Sequence, residues 1–240
     1  MALIKGDLAD PVVRIDDSPT GIRPLLPDLT PLHDILMKFE SAGLFYHLGI
    51  VPAILTEVVF QFLERLEYMI PVVHGFDHGY PEYSAILEAK GDIYNKSPIG
   101  VFNEFKGQSY GAIRQKLSEA RRILEDRLNC AANSYIPPCN TGDRKTARAL
   151  LDSGYSRYFS EKKIPSRELP WIRSDFYGIS PDFDYDMPSL VTTLHTTWEW
   201  DVSRGGDSQS LDKLIEHLTS EKKQTEIRTR EMTALFVPTA

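Results

Sequence analysis

The sequence predicts an α/β protein in which about seven parallel strands form a (β/α) barrel with helices outside. Apolar runs alternate with amphipathic helical stripes along most of the chain, which favours a parallel sheet covered by helices. The chain has 240 residues, a length within the range of roughly 200–250 residues in which one such barrel is complete. We therefore expect one domain over residues 1–240.

The strands are predicted from apolar runs that end at turn residues. They are residues 11–15, 46–55, 69–73, 134–138, 155–159, 171–177 and 190–194. The helices are predicted from stripes of apolar residues with helical spacing and from capping residues. They begin at Thr30 and after Thr56, cover 109–129 and 143–152, include a short segment at 84–89, and close the fold around 211–218. Residues 79–107 otherwise read as a long irregular loop.

Charge and cysteine content exclude several classes of protein. The chain carries 27 Lys and Arg against 34 Asp and Glu, a net charge of −7, whereas binders of nucleic acid or anionic membranes need a basic face. No apolar run reaches the roughly 18 residues of a membrane span. Two cysteines form no disulfide framework, and Asp7 comes too early for a signal peptide. We expect a cytoplasmic protein; the oligomeric state stays open.

Carboxylates and imidazoles follow several predicted strands, and the carboxyl ends of parallel strands share one edge of the sheet. His74 and His78 are four residues apart after the third strand. With one carboxylate they would make a three-ligand metal set that leaves room for water and substrate. Zinc is the first candidate, with iron, cobalt or manganese also open. The alternative is a pair of surface or packing histidines.

Asp16 and Asp17 follow the first strand, and His195 follows the last. Two adjacent carboxylates resist simultaneous ionisation unless a cation lies beside them. The alternative interpretation of Asp16 and Asp17 is a solvated acidic turn. His195 is a natural proton donor if it faces the cleft, and otherwise a structural residue.

Together these segments resemble the polysaccharide deacetylases, the carbohydrate esterases with the nodulation-deacetylase homology domain. Residues 14–17, Arg-Ile-Asp-Asp, resemble the aspartate pair of the first motif of that family. Residues 74–78 resemble the second motif of the family, His-x-x-x-His. Residues 135–140 resemble the Pro-Pro-x-Asn form of its third motif, and residues 193–195 resemble its last motif, Leu-x-His.

The resemblance implies a distorted (β/α) barrel and metal-dependent removal of an N-acetyl group from a sugar. Asp16 would be the general base, His195 the general acid, and Asp17, His74 and His78 the ligands of a divalent metal, zinc first. Substrate and oxyanion contacts would come from Tyr135, Pro138 and Asn140.

The third and fourth motifs depart from the usual pattern. The family has an arginine in the third motif that orients the catalytic aspartate, and residues 136–140 contain none. Arg14 or Arg173 would have to replace it. Trp171, Arg173 and Asp175 are the nearest candidates for the fourth motif.

The expected function is hydrolysis of an N-acetyl group on a sugar or glycan precursor, in the biosynthesis of surface polysaccharide. Two alternatives stay open at this point. One is a catalytically silent carbohydrate-binding barrel, which the missing arginine favours. The other is a metal-dependent hydrolase of a different amide or ester bond.

Overall fold

We describe the protein from a computed structural model. The structure describes residues 12–18, 30–77, 103–160, 163–164, 166, 168–173, 176–177, 191–195 and 208–220. The predicted short helix at 84–89 lies outside these residues. In the described helices, no segment is both long enough and apolar enough to cross a membrane.

Eight strands and five α-helices occur in the described residues. The strands are β1 (Val12–Ser18), β2 (Tyr46–Ile50), β3 (Met69–His74), β4 (Ser134–Ile136), β5 (Arg157–Ser160), β6 (Trp171–Arg173), β7 (Phe176–Tyr177) and β8 (Val191–His195). The helices are α1 (Thr30–Ala42), α2 (Glu57–Leu63), α3 (Tyr110–Leu128), α4 (Arg144–Asp152) and α5 (Ser208–Ser220).

The described strands form one sheet in the order β6-β5-β4-β3-β2-β1-β8-β7. The pairings β1–β8, β3–β4, β4–β5, β5–β6 and β7–β8 are parallel. The predicted class, a distorted (β/α) barrel with parallel strands and helices, is confirmed. Six strands, from β5 to β8 in this order, make up the body of the sheet rather than about seven, and β6 and β7 lie at its two edges.

The residues group into two compact units, and the chain passes between them four times: within β2, at the start of α2, within β3 and after β6. The first unit contains β1, α1, nearly all of α2, β7, β8 and α5. Helix α1 buries Ile35, Leu36 and Phe39 at helical spacing, which is the stripe predicted from the sequence. Lys38 of α1 forms an ion pair with Asp212 of α5.

The second unit contains α3, β4, α4, β5 and β6. The Ser109 hydroxyl caps α3 by accepting the backbone N–H of Ala112 at 3.2 Å, and Asn129 ends the helix with a φ of 48°. The Asp143 carboxylate caps α4 by accepting the N–H of Thr146 at 2.8 Å. These caps are short-range features, and the sequence predicts both helices to within a residue.

Three strand predictions differ from the structure. The predicted strand 46–55 ends at Ile50 because Pro52 begins a 3₁₀ turn. The predicted strand 171–177 is two strands, of which β6 pairs with β5 and β7 pairs with β8. The first strand does not stop at Ile15 but continues through Asp16 and Asp17 to Ser18.

Candidate active site

Asp16 is a buried carboxylate that is held by a buried arginine on its own strand. Arg14 Nε donates to Asp16 Oδ1 at 2.6 Å, and the Arg14 Nη2 group donates to Asp16 Oδ2. The two side chains meet because residues i and i+2 of a strand point to the same face. Arg14 has no exposed surface, and Asp16 is 2% exposed. The bidentate pair fixes the carboxylate in one orientation.

His195 is the register partner of Asp16. Strands β1 and β8 run parallel, and the pairing places Asp16 opposite His195. The backbone therefore brings the predicted base and the predicted acid to neighbouring positions in the first unit. The side chains of Asp17 and His195 lie outside the described part of the structure.

His74 is the last residue of β3 and is 2% exposed. Its Nδ1 atom lies 3.1 Å from the backbone oxygen of Ile136 on β4. A carbonyl oxygen only accepts hydrogen bonds, so Nδ1 carries the proton in this contact. The neutral ring then has its lone pair on Nε2, which is the tautomer that a metal-binding histidine uses.

The turn that follows His74 is held by Glu104, a residue that the sequence did not single out. Glu104 Oε1 accepts the backbone N–H of Phe76 at 2.9 Å and that of Asp77 at 3.1 Å. The turn also needs Gly75, whose φ is +73°. Glu104 lies 28 residues beyond Phe76, inside the stretch predicted as an irregular loop. No local pattern in the sequence marks it.

The residues predicted to contact substrate lie at and after the end of β4. Tyr135 is 1% exposed and packs edge-on against Tyr155, with ring centroids 5.7 Å apart. Burial raises the pKa of Tyr135 well above its usual value, so its hydroxyl stays protonated. Pro138 is buried in a 3₁₀ turn, and the backbone N–H of Asn140 donates to the backbone oxygen of Pro137 at 2.9 Å. This backbone N–H of Asn140 is thus part of the hydrogen bonding of the turn.

The turn after β3 and the turn after β4 lie against each other within the second unit. A methyl group placed on Gly75 would come within 2.7 Å of Pro138 Cγ and would overlap the Glu104 carboxylate. The structure therefore places the turn after His74 against Pro138, and His74 itself against the backbone oxygen of Ile136. It leaves His78, Asp175 and the side chain of Arg173 outside the described residues.

Of the three side chains predicted to bind a divalent cation, the structure describes only that of His74. Over the described ranges, no group of three or more His, Cys, Asp or Glu side chains has the arrangement of a metal site. Two of the three predicted ligands, Asp17 and His78, fall where side chains are not described. His74 fits in its tautomer, because a ring that donates from Nδ1 to the Ile136 oxygen carries its lone pair on Nε2.

The fold is that of the family 4 carbohydrate esterases and polysaccharide deacetylases. A family 4 acetyl xylan esterase from Clostridium thermocellum, solved with a cobalt ion, superposes with a TM-score of 0.52 at 10% identity, over 88% of this chain and 83% of the other. A peptidoglycan N-acetylglucosamine deacetylase gives 0.53 at 14% identity, over 89% and 83%.

A family 4 carbohydrate esterase from Streptomyces lividans, solved with acetate, gives a TM-score of 0.51 at 11% identity, over 90% of both chains. No protein-family model and no curated protein matches the sequence. The similarity at these identities is one of fold. It extends over most of each chain. The short motifs that resemble the family therefore occur in a chain that also has the fold of these proteins.

Proposed function

We propose that this protein is a metal-dependent hydrolase that removes an N-acetyl group from a sugar or a glycan precursor. One observation carries the proposal: Asp16, clamped by Arg14, is the register partner of His195 on the neighbouring parallel strand. A carboxylate and an imidazole at adjacent strand ends are the base and acid that amide hydrolysis needs. The fold supports the same class of chemistry.

Arg14 takes the place of the arginine that the third motif lacks. It orients Asp16 through two charge-assisted hydrogen bonds, both made inside the protein. The departure in the third motif therefore does not leave the carboxylate without an orienting group. This argues against the silent-barrel alternative, which the absence of that arginine had favoured.

The proposal gives each residue one role. Asp16 accepts a proton from the attacking water, and His195 donates one to the leaving amine of the sugar. Asp17, His74 and His78 would hold the divalent cation, zinc first, and Tyr135, Pro138 and Asn140 would border the acetyl group. When bound, the cation supplies a Lewis acid for the acetyl carbonyl.

Acetate release from a panel of N-acetylated sugars tests the proposal. We expect Asp16→Asn and His195→Ala to lower kcat by about 10²–10⁴-fold, since each removes a proton-transfer group. Asp34→Asn is the matched control, because Asp34 is an exposed carboxylate on α1, and it should keep full activity. Circular dichroism and thermal unfolding establish that each variant is folded.

Metal content distinguishes the remaining outcomes. Asp17→Ala and His78→Ala should lose zinc during purification, while Asp34→Asn retains it. Normal metal content in both ligand variants would show that the ligand set is wrong. Wild-type turnover in Asp16→Asn would remove Asp16 as the base, and a metal-loaded wild type that releases no acetate would favour a binding protein.

A further inference from the structure

Glu104 holds the short turn that leads from His74 toward His78. One carboxylate oxygen accepts two consecutive backbone N–H groups, those of Phe76 and Asp77, at 2.9 and 3.1 Å. The residue is only 7% exposed. A buried carboxylate that accepts two N–H groups restrains the backbone more than a solvated one, because water does not compete for the contacts.

The loop that carries Glu104 is itself ordered by local hydrogen bonds. Asn103 Oδ1 accepts the N–H of Phe105 at 3.0 Å, and the Gln108 amide nitrogen donates to the Glu104 backbone oxygen at 3.0 Å. Phe105 is 2% exposed and anchors the loop in the core. The carboxylate is thus presented from a fixed position.

Phe76 and Asp77 make further contacts that hold the same turn. The backbone oxygen of Phe76 accepts the N–H of Ala53 at 3.0 Å, and Asp77 pairs with Lys116 of α3 at 2.8 Å. The Asp77–Lys116 pair is partly exposed, with side-chain exposures of 21% and 30%, so solvent weakens it. The Glu104 carboxylate, in contrast, is buried.

We propose that Glu104 is a positioning residue that fixes the turn between His74 and His78 and so sets the affinity of these histidines for a divalent cation. The inference rests on the proposed function for the identity of the ligands. Glu104 acts through the backbone of Phe76 and Asp77. Groups that orient metal ligands without touching the metal commonly change metal affinity by about 10–100-fold when removed.

The chain contains a matched control in Glu40. Its carboxylate also accepts consecutive backbone N–H groups, from Glu67 at 2.8 Å and from Tyr68 at 3.2 Å. It does so in the segment before β3, whereas Glu104 does so in the segment after β3. Both glutamates accept two consecutive backbone N–H groups, and they do so at opposite ends of β3.

The test titrates Co²⁺ alone into the full-length metal-free chain and follows its visible absorption, with unfolding measured in parallel. We expect Glu104→Ala to weaken Co²⁺ binding by about 10–100-fold and to speed amide exchange at Phe76 and Asp77. Glu104→Gln keeps a carbonyl oxygen for the two N–H groups and should recover most of the affinity. Glu40→Ala should lower thermal stability and leave Co²⁺ affinity within about twofold of the wild type.

A folded Glu104→Ala variant that binds Co²⁺ as tightly as the wild type would overturn the inference. Equal losses of affinity in Glu104→Ala and Glu40→Ala would also overturn it, since the loss would then follow global stability. A wild type that binds no Co²⁺ overturns it as well. A Glu104-dependent Co²⁺ site in a chain that releases no acetate supports the inference and contradicts only the proposed function.

Discussion

The two ends of strand β3 are held by the same chemistry and lead into different segments of the chain. Before the strand, the Glu40 carboxylate accepts the N–H groups of Glu67 and Tyr68 and the hydroxyl of Tyr46, the last at 2.8 Å. After the strand, the Glu104 carboxylate accepts the N–H groups of Phe76 and Asp77. Both contacts satisfy backbone donors where the strand gives way to a turn.

The difference lies in what each turn carries. The segment before β3 contains no predicted site residue, so we expect its hydrogen bonds to affect stability and not metal binding. The segment after β3 follows His74 and precedes His78, and parallel strands present functional groups at their carboxyl ends. A similar set of hydrogen bonds therefore supports the fold at one end and, we propose, a binding site at the other.

The largest expected difference between the two ends is in metal binding. His74→Ala should weaken Co²⁺ binding by more than the roughly 100-fold upper range for a supporting residue, because it removes a ligand. His33→Ala is the control, since His33 is an exposed histidine on α1. Co²⁺ titration measures both. An unchanged Co²⁺ affinity in folded His74→Ala would place the site elsewhere.

A smaller difference is expected for two glycines with positive φ. Gly43, beside Tyr68, has a φ of +66°, and an added methyl group would meet only ordinary contacts at 3.5 Å. Gly75 has a φ of +73°, and an added methyl group would overlap Glu104. Gly43→Ala should lower the free energy of unfolding by about 1–2 kcal/mol, because its backbone is left-handed. Gly75→Ala should lower it by about 1–3 kcal/mol more, because the added methyl group also overpacks the turn.

Urea unfolding at one pH gives both free energies. Equal costs for the two substitutions would show that the turn after β3 has room to relax. That result would weaken the contrast between the two ends, because a turn that yields to a methyl group is not tightly held.

The smallest expected effect concerns Tyr46, the first residue of β2, whose hydroxyl donates to the Glu40 carboxylate that also holds the segment before β3. Tyr46→Phe removes one hydrogen bond to Glu40 and should cost about 0.5–1.5 kcal/mol, with no change in Co²⁺ affinity. Burial, followed by the charge of Glu40, raises the pKa of Tyr46 far above its ordinary value.

The raised pKa of Tyr46 also predicts a pH dependence. Above about pH 10 the unfolded chain releases the Tyr46 proton, whereas the folded chain keeps it. The contribution of Tyr46 to the free energy of unfolding is therefore complete below about pH 10 and falls as the pH rises further. Thermal unfolding between pH 9 and 11 should show a shallower alkaline decline for Tyr46→Phe than for the wild type. Parallel declines would mean that Tyr46 ionises as easily in the folded chain.

Local signals predicted the helices and the positions of most strands. Helix α3 is specified by the Ser109 cap, its buried apolar stripe and Asn129, all of which act within a few residues. The strand prediction for 171–177 was wrong because an extended run does not identify its partners. Only tertiary pairing assigns residues 171–173 to β5 and residues 176–177 to β8.

The contacts around the candidate site residues were accessible from the sequence only in part, for the same reason. The ends of β1, β3 and β8 pointed to Asp16, His74 and His195, because functional groups gather where parallel strands end. Arg14 was one of two candidates to replace the missing arginine, and only the structure shows its contact with Asp16. Glu104 gave no signal, since its partners lie 27 and 28 residues away in sequence.

The α/β class and the five described helices could be predicted from local patterns along the chain. These follow from periodicity and capping, which depend on neighbours within one or two turns. The tertiary structure alone decided which carboxylate holds which turn and which strands pair at the edges of the sheet. Such contacts join residues that are distant in sequence, and their geometry exists only when the chain is folded.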